Sequence, residues 1–560
     1  MEAKMRALQI FVLCCLLLCG AAVLSAQTPQ WLWAVQAGGP TGGWGNYDDG
    51  TSIATDSQGN QYVTGYFMGT STFGSQTLTA GGSTDLFVAK LDPNGNWLWV
   101  VQAGGANGNG GCWGRGIAVD GAGNAYVTGQ FHATYNTPVT FGSHTLTSAH
   151  GDIFVAKLDT NGNWLWAVRA GGSGPDEGFG IALDGAGNAY VTGVFAGAAN
   201  FGGHTVSTTG YAVYVAKLNA SGNWLWAAGA GGPDRDDAYG YGIAVDGAGN
   251  SYVTGKFNGT VTFGSQPLTS NGYADIFVAK LGPNGNWLWA AQAGGTNDDH
   301  GYGIAVDGAG NAHVTGYFNG TATFGSQTLT TIGGNDIFVA KLDPSGNWLR
   351  IVQAGGTGGE TGRSIVMDSE GNAWVTGDFT GTTTFGSHTL TSSGFGYGTY
   401  ENIFVAKLDP SGNWLWAISG ITSNGGKGIA LDGADNACVT GYFGGTATFG
   451  NDSLTASGTS DIFIARLGIH PGAGIPIAPG NLSIIISGQN VELDWGDVTL
   501  DQAGNPVSVD HYLVYYCATR PEGPFTVFGE DGSISQSQWT HSGAASLSPG
   551  FYYVTAVVAD

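Results

Sequence analysis

The sequence predicts an all-β protein: a seven-bladed β-propeller whose N-terminal strand closes the last blade, followed by a small β-sandwich. Its composition is the first observation, because 100 of 560 residues are glycine and 12% are aromatic. Many short strands joined by glycine turns have such a composition. The second observation is a unit that recurs seven times with four strand-like segments. The third is a spare strand segment near the N-terminus, which the seventh unit lacks.

The N-terminal segment 1–26 predicts a secretory signal. Two basic residues precede an apolar run that ends in small residues, and we expect cleavage near Ala26. The mature protein is therefore expected to be secreted or held at the cell surface. A lipoprotein alternative would use Cys19, although Leu18 before it is bulkier than the small residue usual there. No later segment is apolar over a length that crosses a bilayer.

An aspartate in the phrase "IAVD" and a basic residue in the phrase "VAKL" mark each unit. The aspartates are Asp56, Asp120, Asp184, Asp246, Asp307, Asp368 and Asp432. The basic residues are Lys90, Lys157, Lys217, Lys280, Lys341, Lys407 and Arg466. Because a buried charge needs a partner, we expect turn capping by the aspartate and an ion pair within each blade. Seven identical binding sites are the alternative.

Each unit contains four predicted strands, in the order "GIAVD", "AYVTGYF", "DIFVAKLD" and "NWLWAVQA". Glycine- and asparagine-containing turns join the first strand to the second and the third to the fourth. The paired tryptophans of the fourth strand are expected to fill the widening gap between blades. After residues 461–467 the seventh unit has no such strand, whereas a spare "WLW" stands at 31–33. Pairing of the two would remove the open sheet edges, so 31–467 are predicted to form the propeller.

These units, for example "GYGIAVDGAGNAHVTGYFNGT" at 301–321, resemble the bacterial seven-bladed β-propeller repeat abbreviated SBBP. The resemblance covers residues 31–467. It implies an exported bacterial protein with a propeller fold, and it supplies no agreed catalytic residues.

The propeller is expected to be followed by a Pro/Gly linker at 468–480 and a second domain at 481–560. In that domain, Trp495 on an early strand and Tyr552 on a late strand resemble a fibronectin type III sandwich, which has an immunoglobulin-like fold. The sequence stops before the last strand of such a fold. We therefore expect this domain to be incomplete.

Several functional classes are excluded by the sequence. A formal net charge of −24 without a basic stripe repels nucleic acid. Cys112, Cys438 and Cys517 have neither disulfide-framework nor metal-ligand spacing, and buried or loop thiols are expected. The turn at 92–97 lacks the glycine and glutamate of a calcium loop. Because no nucleophile elbow or zinc motif occurs either, we predict no catalytic residue, no metal and no cofactor.

Variable links from "WLWAVQAGG" to the next "GIAVD" provide the candidate site. They open on one face of the ring, and variable loops on a rigid frame are where binding sites usually lie. The predicted ligand-binding residues are Trp44, Tyr47, Asp48, Asp49, Trp113, Arg115, Asp176, Glu177, Asp236, Asp237, Asp298, Asp299 and His300. Acidic and aromatic groups together suit a sugar, a cationic peptide or a divalent ion.

The leading functional hypothesis is an exported, non-catalytic recognition or scaffold protein that presents this variable face to a glycan or protein. One alternative is an enzyme acting on polysaccharide, a hydrolase or a lyase, because propellers host both and fold does not settle function. A hydrolase would need two carboxylates at a set separation, and the sequence selects no pair. A second alternative is a structural module of a longer surface protein.

Overall fold

The computed structural model describes residues 29–40, 47–106, 110–132, 138–148, 150–233, 236–392, 401–422 and 425–468, with the backbone of six C-terminal strands. The chain divides into two compact units, Trp31–Gly468 and a second one comprising Met1–Gln30 and Ile469–Asp560. All regular secondary structure in the described residues is β-strand. These residues include no helix that is long and apolar enough to cross a membrane. The predicted signal segment 1–26 and positions 469–480 of the predicted linker lie outside the described residues.

In the larger unit the strands of each repeat pair as an antiparallel meander, first to second to third to fourth. The described residues contain seven such sheets, numbered here in chain order. Sheet 1 comprises Asp49–Thr55, Gln61–Phe67, Asp85–Leu91 and Trp97–Ala103. Sheet 2 comprises Gly111–Val119, Ala125–His132, Gly151–Leu158 and Trp164–Gly172. Sheet 3 comprises Glu177–Leu183, Ala189–Phe201, His204–Leu218 and Trp224–Ala230.

The remaining four sheets repeat this order. Sheet 4 comprises Ala238–Val245, Ser251–Phe257, Asp275–Leu281 and Trp287–Gly295. Sheet 5 comprises His300–Val306, Ala312–Phe324, Gln327–Leu342 and Trp348–Gly356. Sheet 6 comprises Glu360–Met367, Ala373–Phe379, Asn402–Leu408 and Trp414–Gly420. Sheet 7 comprises Gly426–Leu431, Ala437–Phe443, Asp461–Gly468 and, as its fourth strand, Gln30–Gly38.

A short hairpin between the second and third strands reaches back to the preceding sheet. In sheets 3 and 5 it is continuous with those strands. In the other sheets it is separate, formed by Thr70–Phe73 with Gln76–Thr79, Val139–Phe141 with His144–Leu146, Thr260–Phe263 with Gln266–Thr269, Thr382–Phe385 with His388–Thr391, and Thr446–Phe449 with Asp452–Thr455. Its first arm pairs with the fourth strand of the preceding sheet, as Phe73 does with Ala37.

The N-terminal strand supplies what the seventh repeat lacks. Gln30–Gly38 lies beside Asp461–Gly468 in sheet 7. The Trp31 Nε1–H donates to the carbonyl of Ser419 over 3.1 Å, and the Ala34 N–H donates to Asp452 over 2.9 Å. The spare "WLW" strand therefore pairs as its sequence predicts.

Neighbouring sheets are so close at their first strands that side chains are excluded there. A Cβ added to Gly116 would lie 2.7 Å from the Phe179 carbonyl oxygen, and one added to Gly242 would lie 2.5 Å from that of Tyr302. The same closeness joins sheet 7 to sheet 1, where Gly428 faces the backbone of Ile53. First strands thus pack backbone to backbone from one sheet to the next.

Aromatic side chains fill the wider space farther along each sheet. The phenylalanine of "TFG" meets the first tryptophan of "WLW" edge to face, with centroids 5.5 Å apart for Phe73 and Trp97. Trp31 and Phe449 repeat this contact at 5.0 Å across the sheet-7 seam. The tryptophans are therefore packing residues, as the sequence predicts.

The repeat aspartates and basic residues form the predicted turn caps and ion pairs. Asp56 Oδ1 accepts hydrogen bonds from the backbone N–H groups of Gln58 and Asn60, and Lys90 Nζ lies 3.4 Å from Asp56 Oδ2. Burial raises the pKa of Asp56, but the Asn60 and Gln58 hydrogen bonds and Lys90 outweigh it, and the net pKa is lowered. Equivalent pairs are Lys157–Asp120, Lys217–Asp184, Lys280–Asp246, Lys341–Asp307, Lys407–Asp368 and Arg466–Asp432.

Two cysteines of the larger unit are buried free thiols, in agreement with the sequence prediction. They are Cys112 and Cys438. Burial raises the pKa of Cys438 to about 12, so the thiol form dominates at neutral pH.

The C-terminal unit contains two three-stranded antiparallel sheets. One comprises Ser483–Ser487, Asn490–Asp494 and Gln538–His541. The other comprises Thr526–Val527, Val509–Cys517 and Phe551–Val558. Tyr552, which the sequence places on a late strand, lies in Phe551–Val558. Trp495, on which the fibronectin type III resemblance partly rests, lies outside the described residues.

Candidate functional site

Each first strand carries a β-bulge at the same repeat position. The pairing register shifts between the residues on either side of it, for example between Gly240 and Gly242 around Tyr241. The bulged residues are Thr51, Arg115, Phe179, Tyr241, Tyr302, Arg363 and Lys427. A bulge inserts one residue that has no ladder partner and re-aims its side chain. Seven variable side chains are thereby displayed on strands whose backbones touch.

The residues that frame the bulge are constrained, whereas the bulged residue is not. A Cβ on Gly240 would lie 2.3 Å from Thr192 Oγ1, and one on Gly242 would lie 2.5 Å from the Tyr302 carbonyl oxygen. Both contacts are with the sheets on either side. Packing against the adjacent sheets therefore requires glycine at positions 240 and 242 but does not restrict the residue at position 241.

A cross-strand pair lies next to six of the seven bulges. It joins the residue two positions earlier to a residue of the second strand: Asp49 to Tyr66, Trp113 to Gln130, Glu177 to Val194, Tyr239 to Lys256, His300 to Tyr317, and Thr361 to Asp378. We call these pairs, the bulged residues, Tyr442 of sheet 7 and the adjacent Glu401 the mouth cluster. It lies where the first strands begin, on the face that bears the variable links.

One side of the mouth cluster is a row of aromatic rings drawn from sheets 3 to 5. Tyr239 stacks on Tyr211 and on Tyr241, with centroid separations of 6.0 and 6.2 Å. The row continues from Tyr241 to Tyr302 at 5.2 Å and from Tyr302 to Tyr317 at 6.0 Å. Phe179 joins it at 5.4 Å from Tyr241, and His300 at 4.8 Å from Tyr317. The outcome is a half-buried aromatic platform.

Four cations stand over tyrosine rings of the mouth cluster. The distances from the cationic group to the ring centroid are 5.8 Å for Arg115 over Tyr66, 5.3 Å for Lys256 over Tyr239, 4.9 Å for Arg363 over Tyr302 and 5.2 Å for Lys427 over Tyr442. Such contacts are attractive because the ring face carries negative charge. Arg363 also donates from Nε to Asp378 over 2.7 Å. The chain has only 17 Lys and Arg residues, so four in one cluster is a strong concentration.

The surroundings shift the pKa values of these groups. Burial raises the pKa of Asp49, against the opposing effects of Lys427 and Arg115. Burial also lowers the pKa of Lys427, and Arg363 lowers it further. The pKa of His300 falls to about 3 through burial, Lys256 and Arg363, so its ring is neutral at physiological pH.

Several polar atoms of the mouth cluster have no hydrogen-bond partner within the described part of the chain. They are Asp49 Oδ1, Arg115 Nε and His300 Nε2. Asp49 is 9% exposed and His300 is 8% exposed. Because buried polar groups normally have partners, these three atoms are exceptions that folding alone does not explain.

The thirteen predicted site residues separate into four groups. Five belong to the mouth cluster: Asp49, Trp113, Arg115, Glu177 and His300. Four lie in the links around it, namely Tyr47, Asp236, Asp237 and Asp298. Three others, Asp48, Asp176 and Asp299, are fully buried between sheets. Trp44 lies outside the described residues.

The three buried aspartates hold the link backbone. Asp299 accepts from the N–H groups of Gly295 and Asn319 over 2.8 and 2.9 Å. Asp176 and Asp48 bind the equivalent N–H groups of their own links. A carboxylate saturated in this way is a structural group, so these residues stabilise the junction between sheets and do not face a ligand.

A second buried carboxylate faces each of these groups. At Gly294, an added Cβ would lie 2.5 Å from Asp275 Oδ1 and 3.0 Å from Asp299 Oδ2, so both oxygens face one glycine. We call such pairs junction pairs. They are Asp48 with Asp461, Asp176 with Asp152, Asp299 with Asp275, and Glu360 with Asp336. At the junction of sheets 3 and 4 the corresponding residues are Ala212 and Ala238, so the fold tolerates the absence of a carboxylate pair.

The sequence prediction missed most of the mouth cluster. The missed residues are Thr51, Tyr66, Gln130, Phe179, Val194, Tyr239, Tyr241, Lys256, Tyr302, Tyr317, Thr361, Arg363, Asp378, Glu401, Lys427 and Tyr442. A usable signal is present in the repeat itself, because one letter varies between two small residues in "GYG", "GRG", "GFG" and "GKG". A second letter varies in "VTGYF", "VTGQF", "VTGKF" and "VTGDF". Both letters belong to the mouth cluster.

The described residues contain no group of three or more His, Cys, Asp or Glu side chains arranged to hold a metal ion. The mouth cluster presents aromatic faces, hydrogen-bond donors and hydrogen-bond acceptors.

Comparison with known sequences identifies the repeat. Four segments match the family model of the β-propeller repeat SBBP, at residues 98–130, 165–194, 225–260 and 288–321. Each segment runs from a fourth strand into the first and second strands of the next sheet. The chain therefore carries SBBP β-propeller repeats.

Curated relatives and solved structures are more distant. The chain is 24% identical to an uncharacterized WD repeat-containing protein, L264, of Acanthamoeba polyphaga mimivirus, over 74% of this chain and 36% of that protein. It is 26% identical to the regulatory protein FlaEY of Caulobacter vibrioides, over 69% of this chain and 42% of that protein. The chain thus spans less than half the length of these relatives. A streptogramin B lyase structure matches 79% of this chain and 100% of its own, with 11% identity and a TM-score of 0.37.

Proposed function

We propose that this chain is an exported, non-catalytic recognition protein that binds a glycan at the mouth cluster of a closed, seven-bladed propeller. The observation that carries the proposal is the convergence of aromatic rings and unpaired polar groups from sheets far apart in sequence. Tyrosine is among the residues that contribute most to binding energy. Its ring packs against the apolar face of a sugar, while charged neighbours bind the hydroxyl groups.

The closed ring is part of this proposal because it brings the mouth residues together. Thr51 Oγ1 donates to the Gly114 carbonyl over 2.8 Å, between sheets 1 and 2. Thr55 Oγ1 donates to the Leu431 carbonyl over 2.5 Å, between sheets 1 and 7. These bonds support seven blades with sheet 7 beside sheet 1. The smaller C-terminal unit would serve as a fibronectin type III-like spacer, and the N-terminal segment 1–26 would direct export.

A glycan array probed with the full chain tests the proposal. Tyr241→Ala and Tyr302→Ala each remove one ring of the platform, and we expect binding to fall at least tenfold, the equivalent of about 1.4 kcal/mol. Tyr273→Ala is the matched control, because Tyr273 is 71% exposed and lies outside the mouth cluster. Equal binding by all three variants would refute the assignment to the mouth. Binding to protein ligands alone would refute the glycan.

An enzyme acting on polysaccharide is the second candidate, and Asp49 is the observation that favours it. Burial raises the pKa of this carboxyl, and its Oδ2 accepts from the Tyr66 hydroxyl over 3.3 Å. A carboxyl with a raised pKa in a cleft can act as a general acid. Release of reducing or unsaturated ends from a polysaccharide panel, abolished by Asp49→Asn, would establish this function in place of simple recognition.

A further inference from the structure

The charges of the mouth cluster are of both signs, and most of them do not join into salt bridges. Its cations are Arg115, Lys256, Arg363 and Lys427, and its carboxylates are Asp49, Glu177, Asp378 and Glu401. Among these eight residues only Arg363 and Asp378 form an ion pair, at 2.7 Å. Asp49 Oδ2 accepts from the Tyr66 hydroxyl, and the Gln130 amide donates to Glu177, whereas Asp49 Oδ1 and Arg115 Nε have no hydrogen-bond partner within the described part of the chain.

Alternating donors and acceptors match the chemistry of a hydroxyl group. A hydroxyl donates one hydrogen bond and accepts others, so adjacent hydroxyls of a sugar can bridge a cation and a carboxylate that do not touch. A ligand carboxylate only accepts, and it would leave Asp49, Glu177 and Glu401 facing a like charge. The cluster therefore suits neutral, hydroxyl-rich rings stacked on the tyrosine platform.

The charge around the cluster leads to the same conclusion. With all groups ionised, its four cations and four carboxylates cancel. Three link aspartates surround it: Asp236, Asp237 and Asp298. Asp237 and Asp298 act directly on cluster rings, because they contribute to raising the pKa values of Tyr239 and Tyr317. Even with Asp49, Glu177 and Glu401 protonated, the cluster and these aspartates carry no net positive charge, and the whole chain carries −24. An anionic ligand would approach against this field.

We infer that the mouth cluster selects neutral oligosaccharides and rejects uronate-containing ones. This inference rests on the proposed glycan-binding function and adds the class of glycan. Discrimination arises from the carboxylates of the mouth, since they accept from sugar hydroxyls and repel a sugar carboxylate.

Calorimetric titration of the full chain with matched hexasaccharides tests the inference. The probes are neutral and uronate pairs of the same linkage: glucan and glucuronan, mannan and mannuronan, galactan and galacturonan. We expect at least one neutral hexamer to bind and its uronate counterpart to bind at least tenfold more weakly. Raising NaCl from 50 to 500 mM should change the neutral affinity less than twofold, because no net charge is neutralised.

A charge-changing variant tests the cause of this selectivity. Glu177→Gln combined with Glu401→Gln removes two mouth carboxylates, and we expect the ratio of neutral to uronate affinity to fall at least tenfold. Glu370→Gln is the control, because Glu370 lies in the turn between the first and second strands of sheet 6, away from the mouth. A uronate hexamer that binds as tightly as its neutral counterpart, or an equal shift in the control, would overturn the inference alone. Absence of binding to every hexamer would overturn the proposed function as well.

Discussion

Replacing Asp299 by asparagine should make the propeller more stable at alkaline pH and leave it nearly unchanged in acid. Asp299 is 0% exposed and faces the buried Asp275. Its pKa is raised to about 7, mainly by burial, with Asp275 and Asp298 adding to the effect. A carboxyl whose folded pKa exceeds its unfolded value of 3.8 holds its proton in the folded state. Its stabilising contribution is complete below pH 4 and is lost as pH rises to about 7.

The magnitude follows from the size of the pKa shift. A shift of about three pKa units corresponds to roughly 4 kcal/mol of lost stability above pH 7. Asparagine cannot ionise and so avoids this loss of stability. Its NH₂ group, however, would face one of the two backbone N–H donors in place of an acceptor oxygen, at a cost of about 1 kcal/mol. The net gain at pH 8 is about 3 kcal/mol. Since unfolding of a domain this large has an entropy of roughly 0.9 kcal/mol/K, we expect Tm to rise by about 3 °C.

Scanning calorimetry of the full chain between pH 4.5 and 8.5 measures both proteins. At pH 4.5 the two should agree within about 1 kcal/mol, and the variant should gain steadily toward pH 8. Asp343→Asn is the control, because this turn aspartate is partly exposed and sheet 3 has Asn219 at the equivalent position. A variant less stable than wild type at pH 8, or one with the wild-type pH slope, would refute the buried-pair reasoning.

Three further substitutions test the packing of the sheets by chemical denaturation. Gly242→Ala places a Cβ 2.5 Å from the Tyr302 carbonyl oxygen and should cost about 1–3 kcal/mol, whereas Gly247→Ala, with nothing within 4 Å, should be neutral. Lys157→Met removes the partner of Asp120 and Tyr126, at 3.3 and 2.6 Å, and should cost about 1–3 kcal/mol, while Lys157→Arg should retain stability because sheet 7 has Arg466 there. Trp31→Ala empties the contact with Phe449 and should cost about 3 kcal/mol; Leu98→Ala, at a side chain 48% exposed, should cost under about 0.5 kcal/mol. If a substitution and its control had the same denaturation midpoint, the contact that the substitution tests would be contradicted.

Sequence reasoning predicted the sheets because every rule recurs seven times. Alternating strands, glycine turns and an Asp–Lys ion pair are local features, and repetition separates them from chance. The pairing of Gln30–Gly38 could be predicted by counting. The seventh repeat lacks a tryptophan-containing fourth strand, and the N-terminal segment supplies such a strand without the other three of a repeat. Lys341 and Asp307 illustrate the limit of this success, because the sequence also contains His313, whose Nε2 lies 3.2 Å from Asp307. Only the structure shows that this histidine joins the pair.

Sequence variability alone does not distinguish a buried link residue from an exposed one. Asp299 and His300 are adjacent in a variable link, and the sequence placed both in a binding face. The structure points Asp299 at the backbone N–H groups of Gly295 and Asn319 and points His300 at Tyr317. Lys256 was missed because it lies in the phrase "VTGKF", which repeats almost unchanged, and the prediction considered only the variable links. Side-chain direction at a bulge is set by pairing register between strands, which the sequence does not display.

Charge in the mouth cluster is not needed for the ring to fold, and this is the strongest physical argument that it serves binding. Sheet 1 has Thr51 at the bulge where sheet 7 has Lys427, and sheet 3 has Val194 where sheet 6 has Asp378, yet the strand pairings are the same. Half-burying a cation carries a desolvation cost that a hydrophobic residue would avoid. Folding stability alone would therefore favour uncharged side chains here. Residues that break a local rule without a structural gain are expected at functional sites, and Lys427 and Arg115 satisfy that description.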